Sequence, residues 1–195
     1  NKLNFPIHEY FFAKTLDKVR SGGIIIFITS RYTMDKKNSA ARKYIAERAE
    51  LLGAVRLPDT AFKGSANTEA VADILILKKR DRLLAEAPES VALSETLDGI
   101  EINKYFAAFP QMVLGNMKMV SGPFGMRPTC AELPDTLLST ALSSTLSYIH
   151  GKIDSITLFG SDDEEIDNTI PADQNVKNYS FTVIDDTVYY LSLIH

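Results

Sequence analysis

The sequence contains one cysteine, Cys130, among 195 residues, and this scarcity excludes two kinds of site. One cysteine cannot form an intramolecular disulfide, and it cannot supply a zinc site built from several thiolates. Few cysteines without disulfides are typical of proteins that work in a reducing compartment. We therefore expect a cytoplasmic location.

Long apolar segments are also missing. No uninterrupted apolar run is longer than that of residues 24–28, which is the length of a strand, whereas a membrane-spanning helix needs about 20 residues. Residues 1–20 lack the basic start and the continuous apolar stretch of a secretory signal. We therefore expect no membrane partner. The chain begins at Asn1 with what reads as the approach to a helix, and we expect it to be a fragment of a larger protein.

Charge is divided unevenly along the chain. Residues 1–80 contain 15 Lys and Arg against 8 Asp and Glu, whereas residues 81–195 contain 6 against 17. The net charges of these parts are therefore +7 and −11, and the chain as a whole carries −4. This asymmetry indicates that a polyanionic partner would bind the first part. The alternative is an ordinary variation in surface charge with no such partner.

The first 80 residues show helical and strand patterns in alternation. Apolar residues at helical spacing predict a helix over residues 7–20, which Gly22 and Gly23 would end. A continuous β-branched and aromatic run over residues 24–29 predicts a strand covered on both faces in a parallel sheet. The elements predicted next are a helix over 39–52, a short strand over 55–57, a loop over 58–70 and a strand over 71–77 that Asp73 interrupts. This order predicts an α/β fold.

The remaining residues show weaker patterns. Residues 81–102 contain Pro88 and Gly99 and read as a linker or a poorly anchored helix. The patterns that follow predict a short helix over 103–109, a loop over 115–129, a helix over 134–149, an acidic solvated loop over 161–167 and a β-hairpin around Asp185 and Asp186.

Three segments together resemble a known protein family. They read HEYFFAKTLDKVRSGGIIIFITSRYTMDKK (residues 8–37), RKYIAERAELLGAVRLPDTAFKGSANTEAVADILILKKR (42–80) and YFAAFPQMVLG (105–115). This part of the chain resembles the adenine-N6 DNA methyltransferase region of very large bacterial, phage and plasmid proteins that join a methylase to a superfamily 2 helicase. Residues 8–80 carry the specific part of the resemblance, and the later residues are similar to the connector that follows the methylase.

The resemblance implies a Rossmann-like sheet that binds S-adenosylmethionine, with only its C-terminal half present here. Residues 1–80 would form that half, residues 81–102 a linker, and residues 103–195 a smaller, mainly helical connector that ends in a β-hairpin. DNA and the helicase domains of the same polypeptide would be the partners.

The other half would carry the two motifs that perform the chemistry in this family. These are a glycine-rich turn that seats S-adenosylmethionine and a strand that ends in Asn-Pro-Pro-aromatic. The amino group of adenine is a poor nucleophile, so the family aims hydrogen-bond acceptors at it from a rigid strand end. Neither Asn-Pro-Pro nor Asp-Pro-Pro occurs in this sequence. We therefore assign no catalytic, cofactor-binding or metal-binding residue, and we expect the isolated chain to be inactive.

The resemblance places one aromatic residue, Phe62, where free-standing adenine methyltransferases stack an aromatic ring on the extruded adenine. Extruding a base costs a few kcal/mol, of which stacking returns about 1–3 kcal/mol. The alternative is that Phe62 is a core residue. Arg31, Lys36, Lys37 and Lys63 lie in loops that would follow the carboxyl ends of strands, where they could contact DNA phosphates. Their alternative role is that of solubilising surface charges.

Two functions remain open from the sequence. The chain is either the target-base side of an adenine-N6 DNA methyltransferase or a non-catalytic, methylase-like scaffold that docks DNA or helicase domains. A free-standing α/β enzyme of another kind is a weaker third option, because no nucleophile, metal cluster or phosphate loop supports it.

Overall fold

A computed structural model describes residues 5–122, 125–151, 181–184 and 187–190. The chain divides into two compact units, residues 1–154 and residues 155–195. This division does not coincide with the domain boundaries that the sequence suggested after residues 80 and 102. Within the described residues, no helix combines the length and the apolar character that crossing a membrane requires.

The first unit is a mixed α/β structure. Its helices are α1 (Ile7–Lys18), α2 (Tyr32–Asp35), α3 (Ala40–Arg48), α4 (Lys63–Ala66), α5 (Lys104–Ala108) and α6 (Leu138–Leu146), with 3-10 turns at Glu89–Val91 and Pro110–Met112. Its strands are β1 (Ile24–Ser30), β2 (Ala49–Arg56), β3 (Ala72–Lys79), β4 (Leu93–Glu95), β5 (Glu101–Asn103), β6 (Asn116–Gly122) and β7 (Gly125–Ala131).

Three strands form the largest sheet, in the order β1–β3–β2. Both outer strands run antiparallel to β3, so β1 and β2 run parallel to each other. The expectation that β1 lies in a parallel sheet was therefore wrong for its pairing with β3, and the reason lies in the connections. The segment between β1 and β2 contains α3 and can act as a crossover, whereas the loop from β2 to β3 returns the chain directly and gives an antiparallel neighbour.

One face of this sheet carries the core. Helices α1 and α3 pack there, and the ring of Phe12 lies 4.2 Å from that of Phe27 on β1. The buried apolar side chains include Phe12, Leu16, Ile25, Ile45, Leu75 and Leu77. Because successive residues of a strand point to opposite faces, the neighbours of Ile25 and Phe27 on β1 point away from these helices.

The opposite face of β1 is open to solvent. Ile26 is 63% exposed and Ile28 is 59% exposed, so the prediction that this strand is covered on both faces was wrong for the chain as it stands. Nor does any strand of the described residues pair with the outer edge of β1.

Strand β2 begins earlier than the sequence pattern suggested. The helix predicted to reach residue 52 ends at Arg48, and residues 49–56 pair along β3 with a bulge between Leu51 and Gly53. Apolar side chains at these positions suit either a helix face or a half-buried strand, and pairing with β3 decides the outcome.

The prediction of a loop over residues 115–129 was wrong. This stretch is largely the antiparallel hairpin β6–β7, and Gly125, the first residue of β7, takes a φ of +107°. The expected linker over 81–102 contains Val91 and Ile100, which are buried.

The two helices predicted in this part are confirmed as α5 and α6, although α6 begins only at Leu138. Asp135, in the turn that precedes α6, has a φ of +57°, which lies in the left-handed region.

The second unit contains the predicted hairpin. Strands β8 (Phe181–Ile184) and β9 (Thr187–Tyr190) pair antiparallel, with Ile184 opposite Thr187. The hairpin expected around Asp185 and Asp186 is therefore confirmed. The acidic run at residues 161–167 lies outside the described residues.

Candidate functional site

The ends of the two parallel strands meet at one edge of the sheet. Ser30, the last residue of β1, lies opposite Ala72, and Arg56, the last residue of β2, lies opposite Asp73. The loops over residues 31–38 and 57–70 therefore leave the sheet side by side. We call these two loops, together with the start of β3, the strand-end edge. Edges of this kind bind ligands in many α/β proteins.

A group of four charged side chains lies at this edge, and we call it the ionic cluster: Arg31, Asp35, Arg56 and Asp73. The guanidinium of Arg56 donates to both carboxylate oxygens of Asp73, at 2.8 Å from Nε and 2.9 Å from Nη2. Its Nη1 also lies 2.8 Å from Oδ2 of Asp35, an ion-pair contact without hydrogen-bond geometry. Arg31 Nη1 approaches the same Asp35 oxygen at 3.4 Å. Two cations and two carboxylates thus balance one another.

Burial sets the electrostatics of the ionic cluster. Arg56 and Asp73 are both fully buried. Desolvation alone would lower the pKa of Arg56, but Asp73 and Asp35 outweigh it and raise that pKa above its ordinary value. Burial raises the pKa of Asp73, and the contact with Arg56 opposes this change. Arg56 therefore stays charged, and its contacts hold the ends of β2 and β3 together.

Residues after β3 complete the surroundings of the ionic cluster. The ring of Phe106 lies 4.4 Å from the guanidinium carbon of Arg56, a cation–π distance. The backbone N–H of Asn103 donates to Oδ1 of Asp35 at 3.0 Å. The Asn103 side chain donates to the carbonyl oxygens of Met34 and Ser90, at 3.0 and 2.9 Å. The start of the predicted connector is thus fixed to the strand-end edge, and Asn103 also binds Ser90 of the predicted linker.

The structure places Phe62 on this edge, immediately before α4. Its side chain is half-buried and packs against the core. That position exposes part of the ring, and the predicted role in base stacking stays a prediction.

Each of the four cations that the sequence proposed for DNA contacts has a carboxylate partner. Arg31 is mostly buried and pairs with Asp35. The other three pairs are Lys36 with Glu9 at 3.1 Å, Lys37 with Glu101 at 3.8 Å and Lys63 with Glu69 at 2.6 Å. The pairing of Lys63 with Glu69 raises the pKa of the lysine and lowers that of the glutamate, chiefly through their hydrogen bond. The strand-end edge brings Phe62 and these cations to one side of the sheet, and phosphate binding by them stays a prediction.

The chemistry available at this edge is limited by the partners that its groups already have. Cys130 is buried nearby, and desolvation raises the pKa of its thiol to about 12, so it is a poor nucleophile at neutral pH. Within residues 5–122 and 125–151, together with the two described strands of the second unit, no three His, Cys, Asp or Glu side chains form a group that could hold a metal ion.

Sequence reasoning missed the residues that organise the edge, namely Asp35, Arg56, Asp73 and Asn103. Asp73 gave a signal, because it was the one charged residue in an apolar strand. A buried carboxylate needs a partner, but nothing in the spacing identified Arg56 as that partner.

Comparison with known proteins gives one partial relationship. No family model matches the chain, and no solved structure matches it. Among curated proteins, Defense against restriction protein B of Escherichia phage P1 is 32% identical to this chain over 79 residues. That alignment covers 40% of this chain and 4% of the phage protein, so this chain is similar to a small part of a much longer restriction-defence protein.

Proposed function

We propose that this chain is part of an adenine-N6 DNA methyltransferase and that it forms the side of the active site facing the target base. In this proposal the methyl group comes from S-adenosylmethionine and goes to the adenine N6 amino group of DNA. The residues that hold the cofactor and the Asn-Pro-Pro-aromatic strand belong to another part of the same polypeptide.

The open side of β1 is the observation that carries this proposal. Its outer edge has no partner strand among the described residues, and Ile26 and Ile28 expose large apolar surfaces next to that edge. A long exposed apolar edge strand promotes aggregation. Further strands of the same sheet, with their own covering helices, would pair with this edge and bury both isoleucines. A methyltransferase sheet divided between this chain and the rest of the polypeptide requires such a continuation.

The relationship to the phage protein gives independent support. The name of that protein states a defence against restriction, and methylation of DNA is one chemical means of resisting restriction. The identity of 32% extends over only 79 residues, so the relationship supports a restriction-related role without specifying the chemistry.

The described residues of the strand-end edge do not by themselves fit S-adenosylmethionine. The carboxylates that could bind the ribose hydroxyl groups or the amino acid part of the cofactor already have partners: Asp35, Asp73 and Glu69 pair with cations, and Asp59 accepts a hydrogen bond from Thr129. This chain would instead supply the wall against which the base packs. Phe62 would provide the apolar ring of that wall, and the ionic cluster would keep the two loops in place.

A non-catalytic scaffold is the second candidate. The internal pairing of Arg31, Lys36, Lys37 and Lys63 favours it, since cations that are already neutralised by carboxylates bind phosphates less strongly. Such a scaffold would keep the fold in order to dock DNA or the helicase domains of the same polypeptide.

Methyl transfer by the complete encoded polypeptide tests the proposal. Radiolabelled S-adenosylmethionine and duplex DNA are expected to give labelled N6-methyladenine after nuclease digestion. The isolated 195-residue chain is expected to bind the cofactor weakly in calorimetry and to transfer no label. A complete polypeptide that binds duplex DNA but transfers no methyl group would support the scaffold instead. Tight cofactor binding by the isolated chain would contradict the proposed division of the site.

A further inference from the structure

The hairpin β6–β7 carries a charge that sets it apart from the surrounding sequence. Residues 116–131 contain Lys118 and Arg127 and no Asp or Glu, although residues 81–195 as a whole contain 17 acidic residues. Both cations are exposed. A net charge of +2 on a projecting hairpin within an acidic part of the chain favours a polyanionic partner.

The two cations lie on one face of the hairpin. Val120 is opposite Arg127 and Lys118 is opposite Thr129, so alternation along each strand directs Lys118 and Arg127 to the same side. The other face carries Met119 and Met126, which are 44% and 63% exposed.

The base of the hairpin is fastened to the loop that carries Phe62. The backbone N–H of Asp59 donates to the carbonyl oxygen of Cys130 at 2.8 Å. Thr129 Oγ1 donates to Oδ2 of Asp59 at 2.6 Å, and Thr60 Oγ1 donates to Oε2 of Glu132 at 2.9 Å. These bonds join the last residues of β7, and the residue after them, to the start of the loop over residues 57–70.

The cationic face also lies close to the far part of that loop. The hydrogen bond with Lys63 is the main cause of the lowered pKa of Glu69, and the charge of Arg127 adds to it. The base of the hairpin and the charge of Arg127 therefore both lie near the loop over residues 57–70.

The shape of the hairpin suits the groove of a nucleic acid duplex. Each strand has seven residues, which is about 24 Å at roughly 3.4 Å per residue. The major groove of B-DNA, about 12 Å wide, admits a two-stranded β-ribbon. We infer that the hairpin β6–β7 contacts duplex DNA beside the target base through its cationic face, with Lys118 and Arg127 on phosphates. This inference rests on the proposed function for its choice of DNA as the partner.

The test is the salt dependence of duplex binding by the complete encoded polypeptide. We compare the wild type with the double variant Lys118→Ala/Arg127→Ala, using fluorescence anisotropy of a labelled duplex at several salt concentrations. Each lost phosphate contact reduces the magnitude of the slope of the logarithm of the DNA association constant against log[salt] by about 1. The double variant is therefore expected to bind on the order of tenfold more weakly and to have a slope smaller by about 2.

A matched control has the same change in charge away from the hairpin. Arg82→Ala/Lys104→Ala removes two cations from the same acidic part of the chain and is expected to leave the slope unchanged. Thermal unfolding of both double variants shows whether the fold is intact. If the salt dependence of DNA binding by the hairpin variant equals that of the wild type or of the control variant, the inference is wrong.

Methyl transfer measured on the same samples separates the two proposals. If the double variant shows the smaller slope but the wild type transfers no methyl group, the hairpin contact is supported and the methyltransferase proposal is contradicted. If the wild type transfers methyl groups but the slope of the double variant is unchanged, the methyltransferase proposal is supported and the hairpin contact is contradicted.

Discussion

Arg56 and Asp73 lie directly opposite each other on the antiparallel strands β2 and β3 and form a two-pronged ion pair that is fully buried. The pair closes the strand-end edge, because β2 ends at Arg56 and β3 begins one residue before Asp73. Removal of one partner from a buried ion pair leaves an uncompensated charge, whereas replacement of both partners by apolar residues is often neutral.

Asp73→Asn is therefore expected to lower the free energy of unfolding by about 3 kcal/mol. Arg56→Met/Asp73→Leu is expected to recover much of that loss, since no unbalanced guanidinium then remains beside Phe106. Urea unfolding of the chain and its variants measures both effects. A double variant that is less stable than Asp73→Asn would show that the pair contributes more than mutual neutralisation.

The half-buried ring of Phe62 gives a test of base stacking. In the complete polypeptide, Phe62→Ala is expected to lower methylation of duplex DNA by roughly 5-fold to 150-fold, the equivalent of about 1–3 kcal/mol of stacking. Affinity for S-adenosylmethionine is expected to change by less than about twofold, because stacking acts on the base.

Two further variants at this position separate stacking from packing. Phe62→Tyr keeps an aromatic face and is expected to restore methylation, whereas Phe62→Leu keeps apolar volume alone and is expected to behave like Phe62→Ala. Phe109→Leu, at an exposed aromatic residue outside the strand-end edge, is the control. Recovery of activity by Phe62→Leu would mean that the ring only fills the core.

The exposed isoleucines of β1 test whether the sheet continues in the complete polypeptide. Ile26→Thr and Ile28→Thr keep β-branching and, in the isolated chain, are expected to change stability by less than about 0.5 kcal/mol. In the complete polypeptide each is expected to cost about 1.5–3 kcal/mol, the value of burying a large apolar side chain. Chemical unfolding of both forms provides the comparison.

Ile25→Thr is the matched control, because Ile25 is the buried neighbour on the same strand. It is expected to destabilise both forms. If Ile26→Thr and Ile28→Thr proved neutral in the complete polypeptide as well, this face of β1 would be exposed there too, and the main support for a divided sheet would be lost.

The buried thiol of Cys130 predicts a dependence of stability on alkaline pH. Desolvation raises the pKa of this thiol from 9.0 to about 12 in the folded chain. The folded state therefore keeps a proton that the unfolded state releases. The contribution of Cys130 to stability is fully present below about pH 9 and is lost as the pH rises toward 12.

Replacement by serine removes this titration. Between pH 9 and 12 the free energy of unfolding of the wild type is expected to fall more steeply than that of Cys130→Ser, by up to about 1.4 kcal/mol per pH unit. Urea unfolding at pH 8, 10 and 11 measures the two slopes, and the lysine and tyrosine titrations cancel in their difference. Parallel slopes would show that water reaches the thiol.

Much of the secondary structure could be predicted from local pattern. Helix α1, strand β1 and the apolar strand β3 follow from periodicity and from the glycines after α1, since these signals are contained within single segments. The antiparallel placement of β3 between β1 and β2 could not be predicted in this way, because strand order depends on connections and pairing. The hairpin β6–β7 was missed because glycine, proline and methionine are weak strand formers, and the register with the partner strand stabilises it.

Only part of the candidate site could be predicted from the sequence, namely Phe62 and the loops that lie at the ends of the strands. The resemblance gave the position of Phe62 in its loop, and the strand ends indicated which loops would lie together. Arg31 and Lys63 pair with carboxylates four and six positions away, whereas the pairing of Lys36 with Glu9 is a tertiary contact across 27 positions, which composition does not specify. Asn103, which joins the later segment to Met34 and Asp35, gave no sequence signal at all.

The central position of β3 also determines when this sheet can form during synthesis. Strands β1 and β2 both pair with β3 and not with each other, so a nascent chain that has emerged only through Arg56 contains two apolar strands without their common neighbour. The sheet assembles once residues 72–79 leave the ribosome. Until that moment the two unpaired apolar strands are open to association with other chains.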